Sequence, residues 1–331
     1  CLVGSEMCIR DSCRGHPLRP HWGRGHRAGR AAGRFWAMTP FFDRLEAARQ
    51  ERHTTLCVGI DPRLERLPDE IRETAGDDVE ALLTRFGCEV LDLVAEHAAC
   101  VKPQIAFFEA HGLAGLRAYA AVLADARRRG IPVIGDVKRG DIGSTAKAYA
   151  ACHLEPGGDL EADAITVNPY LGADALQPFV DAAAVAGKGV YVLVRTSNPG
   201  ARDLQELHLR EGDRTLFEAT ADLVAGLGAD HVSQATGLSA VGAVVGATAP
   251  AAGAALRARL PATPFLVPGY GAQGATARDV AATHREDGSG AVVNSSRSIT
   301  FPDAKPGSWR EAVAEAAGAA RAELYDASVP A

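Results

Sequence analysis

Short apolar runs alternate with Ala-rich helical stretches eight times along this chain. No other feature constrains its fold as strongly. The runs are TLCVGID (55–61), ACVKPQ (99–104), IPVIGDVK (131–138), DAITVNP (163–169), GVYVLVRT (189–196), SAVGAVVGAT (239–248), TPFLVPGY (263–270) and GAVVNSS (290–296). They are nearly continuously apolar, as parallel strands covered on both faces should be. The stretches between them include DVEALLTRFGCEVLDLVAEHA (78–98) and EAHGLAGLRAYAAVLADARRRG (109–130). In the second, Leu113, Leu116, Tyr119, Ala120 and Leu123 recur at helical spacing and Gly130 ends the pattern. Eight such units predict a single-domain (β/α)8 TIM barrel over residues 38–331. An open doubly wound sheet is the alternative. No GxGxxG follows the first run, which counts against a dinucleotide-binding version of it.

The polar residues have a direction. Asp61, Lys102, Asp136, Lys138, Asn168, Thr196, Gln273 and Arg297 fall at, near or just past the C-terminal ends of the runs. In a barrel, that rim carries the chemistry.

The densest charge lies in IPVIGDVKRGDIGST (131–145). Strand alternation places Asp136 and Lys138 on one face and turns Arg139 outward, to an exterior salt bridge. Gly140 and Gly143 permit a sharp turn. Asp141 and Thr145, four apart, share a face if a helix starts near Asp141. Buried charge is costly unless paired. Lys102, from the neighbouring strand, adds a second cation, so acids and bases gather at one rim rather than forming a lone ion pair. A lysine there can lose its proton and attack a carbonyl. It can also stay charged between carboxylates and stabilise or protonate a carbanion. Asp136 and Asp141 favour the second use.

Composition narrows the classes. The net charge of -6 argues against general nucleic-acid binding. No apolar run approaches the ~20 residues of a membrane-spanning helix. Cys57, Cys88, Cys100 and Cys152 show neither a CxxC pair nor zinc spacing, as expected of free thiols in a reducing cytoplasm. His53, His97, His111, His153, His208, His231 and His284 lack metal-ligand spacing. Residues 1–37 differ from the rest: Arg-rich, lysine-free and without periodicity. A nucleic-acid-binding tail and a transit peptide are two readings. The expectation is a third: CLVGSEMCIRDS resembles translated adaptor sequence, so the segment is non-native or disordered and Met38 is the true start.

The motif DVKRGDIGSTA (136–146) resembles the signature of the orotidine 5'-phosphate decarboxylase family, in the sequence group of the longer bacterial form. CVGIDPR (57–63), VKPQIAFFEAHG (101–112), TVNPYLG (166–172), VRTSNPGA (194–201), VPGYGAQG (267–274) and VVNSSRSI (292–299) extend the resemblance from Met38 to the C-terminus. The resemblance implies conversion of orotidine 5'-phosphate to UMP and CO2, with no cofactor and no metal, by a cytoplasmic homodimer whose active sites are shared. It implies catalytic roles for Lys138, Asp136, Asp141 and Lys102, with Lys138 protonating the C6 carbanion. Asp61 is implied as a ribose ligand and Ser197 as a pyrimidine ligand. Gln273 and Arg297 form the implied phosphate grip, and Asp141 and Thr145 reach the partner's site. Segments 198–213 and 268–274 are the candidate lids. Two alternatives remain: a Mg2+-dependent sugar-phosphate decarboxylase or synthase of the same superfamily, which carries an acid in place of Lys102, and a non-catalytic phosphate-binding barrel.

Overall fold

A computed structural model describes residues 39–210, 212–303 and 309–329. The expectation for residues 1–37 lies outside the described residues. The strands are β1 (Leu56–Ile60), β2 (Cys100–Pro103), β3 (Ile134–Arg139), β4 (Ala164–Val167), β5 (Gly189–Arg195), β6 (Val241–Val245), β7 (Phe265–Pro268) and β8 (Ala291–Ser295). Their order in the sheet is β2-β1-β8-β7-β6-β5-β4-β3, all neighbours parallel. Parallel bridges Val101–Val133 and Gln104–Asp136 join β2 to β3 and close the ring. The expected (β/α)8 barrel is therefore present, and the open-sheet alternative is not.

Two apolar layers explain why the runs show little alternation. Successive strand side chains point to opposite faces, and here both faces are apolar. Leu56 and Val58 pack outward with Phe86, Val90 and Leu91 of the helix Val79–Val94. Cys57 points inward with Cys100, Ile134, Ala164, Tyr191, Val244, Leu266 and Val292. Local signals end the helices. The Asp78 carboxylate accepts from the N–H groups of Glu80 and Ala81 and starts Val79–Val94. Gly130, at φ 68°, terminates Gly112–Arg129, as the sequence predicts.

The helix Phe41–Arg52 closes the N-terminal end of the barrel. Phe42 packs edge-on against Phe41 and against inward-facing Tyr191, at 4.9 and 5.3 Å between ring centres. At the other end, the β3 register slips between Gly135 and Arg139. Arg139 faces outward as expected: it pairs with Glu109 and lies 5.7 Å over the Tyr149 ring. Among the described residues, Cys57, Cys88, Cys100 and Cys152 are free thiols. No described helix is long and apolar enough to cross a membrane.

Candidate active site

The C-terminal mouth of the barrel encloses a pocket of about 460 Å3. Its centre is Asp136, projected from β3 and buried. Oδ2 accepts from Lys102 Nζ at 2.7 Å and from Gln104 Nε2 at 2.9 Å. Oδ1 accepts from Thr166 Oγ1 at 2.9 Å and from the Lys138 ammonium. Burial alone would push this carboxyl up. The charges of Lys102 and Lys138 outweigh burial and hold it well below the usual carboxylate range. The mirror argument holds for Lys102: burial opposes its charge, but Asp136 and then Asp61 outweigh it and raise its pKa above the ordinary lysine value. Both groups are therefore ionised at neutral pH.

The two lysines differ in access. The Lys102 side chain is 6% exposed and that of Lys138 is 45% exposed. Lys102 can hold Asp136 in place, and Lys138 can also meet a ligand. Asp61 follows β1 directly. Its Oδ1 is buried with no hydrogen-bond partner among the described residues. Such an oxygen is costly to bury, and a ligand hydroxyl would satisfy it.

The opposite wall comes from the loops after β5, β7 and β8. Gln205 pins the first of these: its Oε1 accepts from the Thr196 N–H, and its Nε2 donates to Thr196 Oγ1, both at 2.8 Å. Ser197 follows and can approach the end of β6 only because residue 246 is glycine, where a Cβ would lie 2.7 Å from the Ser197 nitrogen. Gly271, at φ 72°, turns the loop after β7 and presents Gln273. Arg297 opens the short helix Arg297–Thr300, and its guanidinium has neither an ion pair nor a hydrogen bond among the described residues. Leu193, Val244 and Leu266 line the pocket floor.

Of the predicted site residues, the pocket gathers Asp61, Lys102, Asp136, Lys138, Ser197, Gln273 and Arg297. It does not gather Asp141 or Thr145. The Asp141 carboxylate takes the N–H of Ile142 at 2.8 Å, and Thr145 is exposed on the helix Gly143–Leu154. The pocket also includes Gln104, Thr166, Asn294 and Ser296, which sequence reasoning missed. Three of them carried a signal. Thr166 and Asn294 are polar residues within apolar strand runs, and Gln104 ends one. Rim residue Asn168 serves a turn instead, accepting from the Tyr170 N–H at 3.0 Å. Among the described residues, no three His, Cys, Asp or Glu side chains converge to hold a metal ion.

An ionised lysine–aspartate array on one wall and, on the other, an arginine side chain unpaired among the described residues define a barrel enzyme suited to an anionic substrate. Comparison with known proteins narrows this class. The profile of the "Orotidine 5'-phosphate decarboxylase / HUMPS family" matches residues 54–312. An orotidine 5'-phosphate decarboxylase from Rhodopirellula baltica is 44% identical over 292 residues, covering 83% of this chain and 96% of that protein. Another, from Deinococcus radiodurans, is 45% identical over 265 residues, covering 80% and 90%. The structure of a Leishmania donovani OMP decarboxylase superposes with a TM-score of 0.70 at 36% identity, covering 88% of this chain and all of that one. The chain belongs to the orotidine 5'-phosphate decarboxylase family.

Proposed function

We propose that this chain is a carboxy-lyase that converts orotidine 5'-phosphate to UMP and CO2, the last step of pyrimidine nucleotide synthesis. The observation that carries the reading is the Lys102–Asp136–Lys138 array, in which the exposed lysine pairs with a carboxylate held ionised at neutral pH. When the bond from C6 to the carboxylate breaks, its electron pair stays on C6 and CO2 leaves. The Lys138 ammonium stabilises that pair and transfers a proton to it, giving the C6–H bond of UMP. The neutral amine then regains a proton from water. Asp136 stays charged throughout and aims Lys138, so catalysis is electrostatic stabilisation by groups set in place beforehand. Asp61 takes a ribose hydroxyl, Ser197 the pyrimidine, and Gln273 with Arg297 the phosphate. Arginine suits that anion because its planar fork donates two bonds at once. Phosphate binding far from C6 can supply energy for organising the reacting centre.

The active unit in this reading is a cytoplasmic homodimer with shared sites. Asp141 and Thr145 lie outside their own pocket, in a region that also exposes Ile142, Tyr149, Tyr170 and Leu171. A second copy covering that region would receive Asp141 and Thr145 in its own mouth.

The test is the loss of orotidine 5'-phosphate absorbance on adding protein, in EDTA. Turnover by wild type and its collapse in Lys138→Ala are expected. A wild-type protein without turnover, or an unimpaired Lys138→Ala, refutes the assignment. Activity that EDTA abolishes would point to the metal-dependent sugar-phosphate enzymes instead.

A further inference from the structure

We infer that Thr166 is a positioning residue for this reaction: its single hydroxyl sets the Lys138 backbone and the Asp136 carboxylate relative to each other. The geometry stands by itself, and its kinetic meaning rests on the decarboxylase reading above.

Regular strand alternation is not what brings Lys138 to Asp136. Lys138 has φ 45°, in the left-handed region that residues bearing a Cβ avoid. It lies inside the β3 irregularity, where pairing with β4 passes from Gly135–Ile165 to Arg139–Val167. In that conformation its N–H donates to Thr166 Oγ1 on β4, at 3.0 Å. A hydroxyl has one proton and two lone pairs. The Thr166 proton goes to Asp136 Oδ1, which can only accept, at 2.9 Å. The lone pairs are thereby left facing the Lys138 amide. Thr166 is 1% exposed and β-branched, so its side chain has few alternatives to this orientation.

The donors on Asp136 show why the hydroxyl matters. Lys102 and Gln104 both hold Oδ2. Oδ1 is held by Lys138 itself and by Thr166. Without the hydroxyl, Oδ1 depends on the reacting ammonium alone and the Lys138 N–H loses its acceptor. The left-handed conformation of Lys138 then loses its amide acceptor across the sheet, and relaxation toward extended backbone would move the ammonium off C6. Small displacements of a reacting group cost much more rate than binding.

Thr166→Val and Thr166→Ala remove the hydroxyl, and Thr166→Ser retains it. Both removals should lower kcat about tenfold or more with KM within roughly threefold of wild type, and Thr166→Ser should stay within about threefold in both. A residue that only supports folding would lower thermal stability and leave kcat of the folded protein unchanged. The inference is overturned if the hydroxyl-free variants keep kcat within about twofold, or if Thr166→Ser is as slow as they are. Amide hydrogen exchange on the wild-type protein decides the matter even if those variants do not fold. The Lys138 amide should be strongly protected, and exchange as fast as that of an open loop overturns the inference. A wild-type protein without turnover would count against the decarboxylase reading, not against this geometry, which the exchange experiment reads separately.

Discussion

At the mouth of the barrel, buried Asp136 is surrounded by two ammonium groups, an amide and a hydroxyl. At the opposite end, buried Arg257 has no carboxylate partner among the described residues. Its guanidinium donates to the carbonyls of Leu260, Thr263, Thr283 and Gly290 and lies 3.7 Å from the centre of the Phe265 ring. Burial and then the charge of Arg285 push its pKa down to about 9. Nearby groups are also sealed from solvent, though not all are paired: Tyr191 OH, His284 Nε2 and Ser289 Oγ are buried without a hydrogen-bond partner among the described residues. His284 is buried, donates from Nδ1 to the carbonyls of Val280 and Ala281, and is pushed down to about 4, chiefly by burial. The mouth turns its open valences toward the pocket: among the described residues, an unpartnered Asp61 oxygen, a half-exposed Lys138 and an Arg297 guanidinium without an ion pair line it. Polar groups sealed in the core serve the fold, and those that line the pocket can meet a ligand. That division should separate the two ends in experiment.

The largest effect expected is at the mouth. Lys138→Ala should lower kcat by more than ~10^3-fold while the protein still folds, since Lys102 continues to pair with Asp136. A comparable loss of kcat from a variant at the other end would break the comparison. Phe41→Ala is that control: removing a fully buried ring from the closing helix should cost about 3–5 kcal/mol of stability and leave kcat of the folded enzyme unchanged. Denaturant unfolding with parallel kinetics reads both.

Acid sensitivity gives a third contrast. The folded-state pKa of His284 lies below its value of 6.5 in the unfolded chain, so the unfolded chain binds the proton first as pH falls. Its contribution is complete above pH 6.5 and is lost progressively toward pH 4. His284→Leu should therefore reduce the acid loss of stability in that window by roughly 3 kcal/mol. An unchanged slope would place the acid sensitivity elsewhere. The smallest of these effects is expected at the phosphate wall: Arg297→Ala should raise KM roughly 100-fold with a smaller change in kcat. Unchanged KM would remove Arg297 from the phosphate grip.

Much of the fold was readable because its signals are local. A parallel barrel strand has an apolar neighbour on each side, so the eight runs stand out by composition alone. Most of the charged and hydroxyl groups of the mouth were readable as well, because they lie at strand ends. Gln104, Thr166, Asn294 and Ser296 were not singled out: each is uncharged and common, and even the three that stand out in or at the end of an apolar run take their role from what faces them. Asp141 and Thr145 are a different case. They were expected to serve a partner's site, and both lie outside the pocket of their own chain, on and just before the helix that starts at Gly143.

The sequence by itself determined the barrel, its polar rim and the residue types available there, since period and position along a strand are properties of neighbouring residues. Tertiary structure decided which donors share Asp136. They come from β2, β3, β4 and the segment after β2, brought together only when the ring closes through Val101–Val133 and Gln104–Asp136. It also decided how Lys138 reaches that carboxylate. Alternation predicted the right face for a regular strand, but the observed route is a left-handed residue whose amide finds its acceptor across the sheet. A backbone conformation of that kind is unfavourable locally and persists only where distant groups satisfy it.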